Sequence, residues 1–290
     1  MQKWWSILFA VVNLAALLLF VAAPICGWWM PHDASARGYE VDFLFYGILW
    51  VTAFFFVLVE ALLVWAMWRY AAPYPGRAWY VHGNHRLEWF WTIVPAVILL
   101  IIAFAQIKAW AHMKYANEFP VPDQIMEVSA RQFEWRIRYP DLKSETALID
   151  AFHHNNSKPA QDWNDHGYVD DVHVVNEVHT WSGAKVRVYL KTRDVIHSFF
   201  LPNMRVKQDA LPGKTIPVLV ESHEGDHNVE WDEAAGKWKV LETWELACAE
   251  LCGWGHYKMQ GRLFVHKDKA DYDRWLKQAA AEQDRHELPQ

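Results

Sequence analysis

The sequence predicts a transmembrane α-helical hairpin, preceded by an N-terminal span or signal and followed by an all-β sandwich. Two patterns predict this fold. Long, nearly uncharged apolar runs are confined to residues 4–107, and short runs of alternating apolar and polar residues begin near residue 124. The composition agrees, because 53% of the 290 residues are hydrophobic while the mean hydropathy is only -0.10. The surplus of apolar residues is therefore concentrated in one part of the chain.

The first apolar run covers residues 4–31, which carry no charged side chain and follow Lys3. Such a run fits either a membrane span or a targeting signal. Pro24 directly follows Ala22 and Ala23, and this disfavours cleavage by a signal peptidase at these small residues. The length of the run predicts a retained span.

The hairpin is predicted from residues 43–68 and 89–107, because each run is long enough to cross a bilayer. The connection between them carries three arginines, Arg77 among them, whereas residues 32–42 carry one arginine and three acids. Cytoplasmic loops of membrane proteins are enriched in Lys and Arg. The connection is therefore predicted to be cytoplasmic and the C-terminal portion extracytoplasmic.

The C-terminal portion has the alternating runs and turn residues of an all-β sandwich. Its first strands are predicted at residues 125–128, 133–139, 185–190 and 215–220. Residues 262–266 are predicted to form the closing strand, and residues 267–285 an amphipathic terminal helix.

These patterns divide the chain into three parts. Residues 1–36 are the N-terminal span or signal segment, residues 37–115 the transmembrane hairpin, and residues 116–290 the extracytoplasmic domain with its terminal helix. Within the last part, residues 141–180 are polar and are predicted to form a solvated loop. The net charge of -6 gives no reason to expect a nucleic-acid partner and leaves a basic protein partner open.

A twelve-residue stretch brings together Cys248, Cys252, His256 and Met259, and His197 at the end of an apolar run offers one more nitrogen ligand. Such ligands favour copper or zinc over magnesium or calcium. Three interpretations are open: a disulfide, which an oxidising compartment permits, zinc on two Cys and two His, and copper. The thioether favours copper, because it adds nothing to a structural zinc site. Two thiolates then suggest two copper ions that share both sulfurs.

Three motifs together resemble subunit II of the haem–copper cytochrome c oxidases. They are Cys-Ala-Glu-Leu-Cys-Gly-Trp-Gly-His-Tyr-Lys-Met at residues 248–259, Asp-Val-Ile-His-Ser-Phe at residues 194–199 and Val-Lys-Gln-Asp-Ala-Leu-Pro-Gly at residues 206–213. The resemblance covers nearly the whole chain. It implies that the C-terminal domain is a cupredoxin-like Greek-key sandwich holding the binuclear copper centre called CuA. The implied copper ligands, carried over by position, are His197, Cys248, Cys252, His256, Met259 and the backbone carbonyl of Glu250.

The resemblance also implies roles for two carboxylates. The Glu250 side chain would help to bind Mg²⁺ at the boundary with the haem-bearing subunit I, since Mg²⁺ prefers oxygen ligands. Residues 87–95 resemble the start of the second hairpin helix of the family. This implies that Glu88 lies at the cytoplasmic mouth of a proton channel in the catalytic subunit. A simpler interpretation is also open, because an acid at a helix start is favourable with the helix dipole.

One departure from the family concerns the region that accepts electrons. Oxidases fed by a soluble cytochrome c have Gln-Trp-x-Trp before Tyr-Pro, and the first Trp accepts the electron. Here Phe133 takes that place, followed by Trp135. These two residues mark the predicted electron-accepting region, and the missing Trp puts direct acceptance at position 133 in doubt. No Cys-x-x-Cys-His occurs in the chain, so no c-type haem is expected on it and the donor is a separate cytochrome.

The expected function is that of the subunit that takes electrons from a c-type cytochrome at CuA and passes them to haem in subunit I. There O₂ is reduced to water and protons are translocated. Further oxidase subunits are expected as partners, in a bacterial-type inner membrane crossed more than once, with the C-terminal domain in the periplasm. The acids of residues 141–180, namely Asp162, Asp165, Asp170 and Asp171, could attract a basic cytochrome.

Three other functions compete with this one. A quinol oxidase subunit II lacks the copper ligands, all of which are filled here, and nitrous oxide reductase has a large propeller domain that this chain does not supply. The alternative from a different class is a membrane-tethered copper carrier or metallochaperone. A carrier should exchange its metal, whereas a rigid set of six ligands suggests a closed centre.

Overall fold

A computed structural model describes most of the chain, namely residues 2–71, 80 and 82–285. The chain divides into two compact units. The first contains long apolar helices and comprises residues 1–31 and 42–108. The second comprises residues 32–41 and 109–290 and contains every described strand.

Among the described residues, three helices are long and apolar enough to cross a membrane. They are α1 (Gln2–Ile25), α2 (Gly38–Arg69) and α3 (His85–Lys114). Side chains such as Trp50 and Phe104 are 72% and 71% exposed, as expected where helices meet lipid. The two predicted runs of the hairpin lie inside α2 and α3, so the helical part of the prediction is confirmed. Arg77, which contributed to the predicted orientation, lies outside the described residues.

The second unit is the predicted β-sandwich. Its described strands are β1 (Gln124–Arg131), β2 (Glu134–Tyr139), β3 (Val172–Val175), β4 (Glu177–Trp181), β5 (Lys185–Thr192), β6 (His197–Leu201), β7 (Val206–Ala210), β8 (Ile216–Glu221), β9 (Val229–Asp232), β10 (Lys237–Val240), β11 (Trp244–Cys248) and β12 (Gln260–His266). One sheet has the order β3-β2-β1-β5-β8, and the other the order β10-β9-β12-β11-β6-β7 with β4 paired to β12. Strand β1 is parallel to β5 and β12 is parallel to β4, because the chain crosses repeatedly between the sheets. The cupredoxin-like Greek-key prediction is confirmed.

The core lies between the two sheets, where alternate side chains of each strand point inward. Trp135 and Val188 of the first sheet belong to the same buried cluster as Phe199 and Leu246 of the second, and all four are fully buried. Burial of large apolar side chains is the main stabilising contribution to such a core. The core therefore fixes the ends of β6 and β11, where the candidate metal ligands begin.

The predicted terminal helix is present as α6 (Lys269–Arg285). Its apolar side chains at helical spacing, Tyr272, Trp275 and Leu276, are buried in the core of the sandwich. The Trp275 indole stacks on the buried His179 ring with 3.7 Å between ring centroids. The helix is therefore part of the domain core rather than an appendage.

Residues 141–180 are not the solvated loop that their polarity predicted. They form α4 (Leu142–His153), α5 (Lys158–His166), and strands β3 and β4. Leu148 and Trp163 of this segment are almost fully buried in a small second cluster with Ile125 and Tyr189 of the sandwich. These few apolar side chains are enough to pack the segment, although most of its residues are polar. The α4–α5 segment is thus packed onto the domain.

The expectation that four acids of this segment face a partner is wrong for Asp171. Its side chain is buried, with one carboxylate oxygen 2.7 Å from Arg138 Nη1 and the other accepting a hydrogen bond of 2.9 Å from Trp163 Nε1. Arg138 also pairs with the buried Glu127 and covers the Trp163 ring, with its guanidinium carbon 4.1 Å from the ring centroid. Asp171 therefore anchors α5, while Asp162, Asp165 and Asp170 are exposed.

Candidate metal centre

Two strand ends and one loop bring the predicted ligands together. His197 is the first residue of β6, and Cys248 is the last residue of β11. These strands are antiparallel neighbours, with Cys248 opposite Phe199, so the imidazole and the first thiol emerge at the same end of the sheet. The ligand loop, residues 249–259, then returns the chain to β12.

The two thiols lie at the centre of the cluster. Cys248 Sγ is 3.9 Å from Cys252 Sγ, and both cysteines are free. This separation excludes a disulfide in the structure, since bonded sulfurs lie about 2.05 Å apart. Among the described residues, His197 and these two thiols form a group that could hold a metal ion, because their ligand atoms all lie within 4.8 Å of one another.

Each thiol has an imidazole beside it. His197 Nδ1 is 3.8 Å from Cys248 Sγ, and His256 Nδ1 is 3.5 Å from Cys252 Sγ. Met259 extends the cluster, because its sulfur lies 3.8 Å from Cys252 Sγ and the side chain is 1% exposed. A buried thioether that faces a thiol is the donor that distinguishes a copper site from a structural zinc site.

Glu250 contributes through its backbone. Its carbonyl oxygen lies 3.2 Å from Cys248 Sγ, whereas its side chain is exposed. The carbonyl and the carboxylate of the same residue therefore lie in different environments, and the two roles that the resemblance implies for them stay predictions.

His197 is oriented by a carboxylate behind it. Its Nε2 is hydrogen-bonded to Asp194 Oδ1 at 2.8 Å, which leaves Nδ1 facing the thiols, a common arrangement for metal-binding histidines. Burial alone would lower the pKa of His197, but hydrogen bonds to Cys248 and Asp194 outweigh it and raise the pKa. Asp194 is itself fixed by the backbone N–H of Gln132 at 2.7 Å.

The two thiols differ in acidity. Burial acts to raise the pKa of Cys248, but hydrogen bonding to His197 and to the backbone near Ser198 and Glu250 dominates and lowers the pKa to about 6. Burial and the adjacent Cys248 raise the pKa of Cys252 to about 11. The metal-free site therefore holds one thiolate at neutral pH, ready to bind a cation.

The turn between β1 and β2 supports the ligand loop from one side. Gln132 Nε2 donates a hydrogen bond to the Cys252 carbonyl, and the Phe133 ring lies against the backbone of Gly253 and Gly255. A Cβ atom at Gly255 would lie 2.5 Å from the Phe133 ring, so only glycine allows this close approach. These contacts hold the ligand loop against the turn between β1 and β2.

The predicted electron-accepting residues lie in different environments. Trp135 is fully buried, with its ring centroid 6.2 Å from that of His197. Phe133 is half-buried and contacts Trp254, which is 82% exposed. Sequence reasoning did not single out Trp254, although its position between two ligands of the loop was a usable signal.

Glu88 belongs to the helical unit, in the first turn of α3. Its Oε2 lies 3.1 Å from His85 Nδ1, and the helix start is capped by Asn84, whose side chain accepts a hydrogen bond from the Leu87 N–H. This position agrees with the helix-dipole interpretation. The channel role stays a prediction.

The fold and the site define a membrane-anchored β-sandwich protein with a candidate metal site of thiols, imidazoles and a thioether. Residues 23–108 match the family described as cytochrome c oxidase subunit II, transmembrane domain, and residues 125–236 match cytochrome c oxidase subunit II, periplasmic domain. Together these ranges cover more than half of the chain. The chain belongs to the cytochrome c oxidase subunit II family.

Individual relatives agree with this family. The alternative cytochrome c oxidase subunit 2 of Bradyrhizobium diazoefficiens is 25% identical over 276 residues, which cover 94% of this chain and 91% of the relative. A probable cytochrome c oxidase subunit 2 of Rickettsia bellii is 29% identical over 278 residues, covering 92% of this chain and 91% of the relative. The crystal structure of the periplasmic domain of subunit II of cytochrome oxidase of Bradyrhizobium japonicum is 20% identical, covers 56% of this chain and 97% of that chain, and has a TM-score of 0.39.

The family establishes the broad role of the chain. It is a subunit of a haem–copper oxidase, an oxidoreductase complex, and a membrane protein with a periplasmic C-terminal domain. The predicted family, fold class and enzyme class are confirmed.

Proposed function

We propose that this chain is the subunit through which a haem–copper cytochrome c oxidase takes electrons from a c-type cytochrome, at a binuclear CuA centre. The observation that carries the proposal is the ligand cluster: two free thiols 3.9 Å apart, each with an imidazole nitrogen within 3.8 Å. A thioether and a backbone carbonyl complete the donor set.

This donor set fits a pair of copper ions better than the alternatives. A single copper site uses one thiolate with two imidazoles and a weak thioether, which would leave the second thiol unused. A zinc site of two Cys and two His would leave Met259 unused, although its sulfur is buried and directed at Cys252. When bound, the copper pair supplies a one-electron acceptor in which two metals and two sulfurs share the charge.

The residues of the chain keep such a site closed and rigid. Cys248 and Cys252 would bridge the two ions, while His197 and His256 would each bind one. Asp194 orients His197 by its hydrogen bond of 2.8 Å, so the imidazole needs no reorientation to bind metal. Fast electron transfer requires a site whose geometry changes little when its charge changes. Burial of Cys252, Met259 and His197 in the sandwich favours such a site.

The wider role follows from the family. Electrons would pass on to haem in subunit I, where O₂ is reduced and protons are translocated. The exposed carboxylate of Glu250 is suited to hold Mg²⁺ at the boundary with that subunit. Glu88 would serve at the mouth of a proton channel on the cytoplasmic side, within a bacterial inner membrane that the chain crosses more than once. We expect no haem on this chain.

A membrane-tethered copper carrier is the alternative function. A carrier needs a site that releases its metal, but here Met259 and Cys252 are buried and the loop is fastened to Gln132. These features favour a resident centre.

The test uses the full chain purified with its oxidase partners. We expect two coppers bound by this chain and an EPR signal from one electron shared between two coppers. Cys252→Ser should abolish that signal. Cys26→Ser, which changes the cysteine that is not a candidate copper ligand, should leave the signal intact. One zinc per chain, or a disulfide between Cys248 and Cys252 in the metal-loaded protein, would contradict the proposal.

A further inference from the structure

Trp254 is an exposed aromatic side chain on the ligand loop itself. It is 82% exposed and lies two residues from both Cys252 and His256. Trp is highly buried on average in folded domains and is enriched in protein interfaces, so an indole this exposed beside the candidate metal site favours an interaction surface.

The indole has a rigid support. Its ring meets the Phe133 ring edge-on, with 5.2 Å between centroids and 68° between planes. The flanking Gly253 has a φ of +137°, and a Cβ at Gly255 would overlap the Phe133 ring. These two glycines let the loop lie flat on Phe133 and direct Trp254 outward. A partner that binds there would therefore need to order little of the surface.

We propose that Trp254, supported by Phe133, is the central contact for the soluble c-type cytochrome that donates electrons to this site. The inference depends on the function proposed above. The ferrous haem of the donor loses one electron and the metal site gains it, so no covalent bond forms or breaks at the contact.

Two arguments favour a small redox protein as the occupant. Electron-transfer partners form small, transient interfaces, below about 1,200 Å², and a single exposed Trp is the side chain best suited to anchor such an interface. Transfer also requires close approach, and Trp254 belongs to the loop that carries the ligands. A cytochrome bound on another face of the sandwich would be separated from the ligands by the sheets.

Nearby charges do not compete with this apolar contact. Glu134, next to Phe133, pairs with both Arg131 and Arg136 at 2.7 Å. The Glu134 carboxylate neutralises only one of these two guanidinium groups, so the three side chains keep a net charge of +1 and offer no long-range attraction to a basic cytochrome; binding should depend more on the indole.

The test compares Trp254→Ala with Tyr257→Ala, in the full chain purified with its oxidase partners. Tyr257 is a matched control, because it is 67% exposed in the same loop. Two quantities are measured: the affinity of oxidised soluble cytochrome c for the metal-free protein, and the rate at which reduced cytochrome c is oxidised by the copper-loaded protein. Reduction of the loaded protein by dithionite, and its copper absorption bands, report whether the site is intact.

We expect Trp254→Ala to weaken cytochrome binding and to slow cytochrome oxidation by about thirtyfold, the loss that defines an interface hot spot, with dithionite reduction and the copper bands unchanged. Trp254→Phe should retain part of the affinity, and Tyr257→Ala should behave like the unmodified chain.

Three results would overturn the inference: no effect of Trp254→Ala, an equal loss in Tyr257→Ala, or loss of another oxidase subunit from the Trp254→Ala complex with cytochrome binding unchanged. The last result would mean that a subunit covers the indole. Failure of this inference can be told apart from failure of the proposed function. If the proposed function is wrong, the unmodified chain binds no copper pair; if only the inference is wrong, the copper pair binds but Trp254→Ala does not weaken cytochrome binding to the metal-free protein.

Discussion

Iodoacetamide should alkylate Cys248 of the metal-free chain far faster than Cys252 at neutral pH. Hydrogen bonding to His197 Nδ1, 3.8 Å away, lowers the pKa of Cys248 to about 6 against the opposing effect of burial. Burial and the neighbouring Cys248 raise the pKa of Cys252 to about 11. The first proton of the pair is therefore lost near pH 6 and the second near pH 11.

These values set the size of the effect. At pH 7 most of Cys248 is therefore thiolate, whereas nearly all of Cys252 is still thiol. Because only the thiolate reacts, alkylation of Cys248 should rise about tenfold per pH unit below pH 6 and level off above pH 7. The sign follows from the lowered pKa: the charged form is present above about pH 6 and is lost as the pH falls through that value.

The assay is timed alkylation of the metal-free full chain between pH 4.5 and 9, followed by mass spectrometry of the separate cysteine peptides. Asp194→Asn is the control variant, because it keeps the size of the side chain but weakens the hydrogen bond that makes His197 basic. It should move the inflection of Cys248 to higher pH. Equal reactivity of the two thiols, or an inflection near pH 9 in the unmodified chain, would refute the reasoning.

Four further outcomes are expected. Met259→Leu should keep a binuclear copper centre but raise its potential, because a weak thioether ligand tunes copper more than it holds it; potentiometry checks this, and complete copper loss would show the assigned role is wrong. Glu88→Gln should leave copper reduction by cytochrome c unchanged while steady-state O₂ consumption falls, and normal turnover would return Glu88 to the helix-dipole role. Glu250→Gln keeps the carbonyl and should keep copper while weakening Mg²⁺ binding, measured by metal analysis of the complex; loss of copper would contradict this. Asp171→Ala removes one of the two buried carboxylates that pair with Arg138 and leaves the Trp163 indole N–H without its acceptor, so it should destabilise the domain by about 1–3 kcal/mol, measured by thermal unfolding with proteolysis of the α4–α5 segment; an unchanged Tm would contradict the anchoring role.

The sequence was most informative where one local pattern determines structure. Alternating residues predicted the central strands, and uninterrupted apolar runs predicted the long helices, because strands and spans follow periods and lengths that a short window shows. The ligand loop was predicted for a similar reason, since four of its donors lie within twelve residues. Only His197 had to be joined to it across the fold; its position at the end of an apolar run suggested that link, and the resemblance to a known family supported it.

The α4–α5 segment was mispredicted because its stability comes from distant residues. Trp163 is an isolated apolar residue in a polar stretch, and Leu148 lies in the short apolar run 147–149. Both side chains are buried because Ile125 and Tyr189 of the sandwich cover them. The buried pair of Arg138 and Asp171 likewise joins residues 33 positions apart. The support of the ligand loop by Gln132 and Phe133 could not be predicted for the same reason. Gln132 and the Cys252 carbonyl are hydrogen-bonded across 120 positions of the chain, and no local pattern indicates such a contact.

The packing of helix α6 constrains how the domain is made. Tyr272 and Leu276 fill the sandwich core from residues that follow every described strand in the chain. During synthesis the sheets therefore emerge and cross the membrane with one side of the core still open. The domain closes only after these late residues arrive, so nascent chains that stop short of α6 should be held by chaperones or degraded rather than delivered to the oxidase for metal loading.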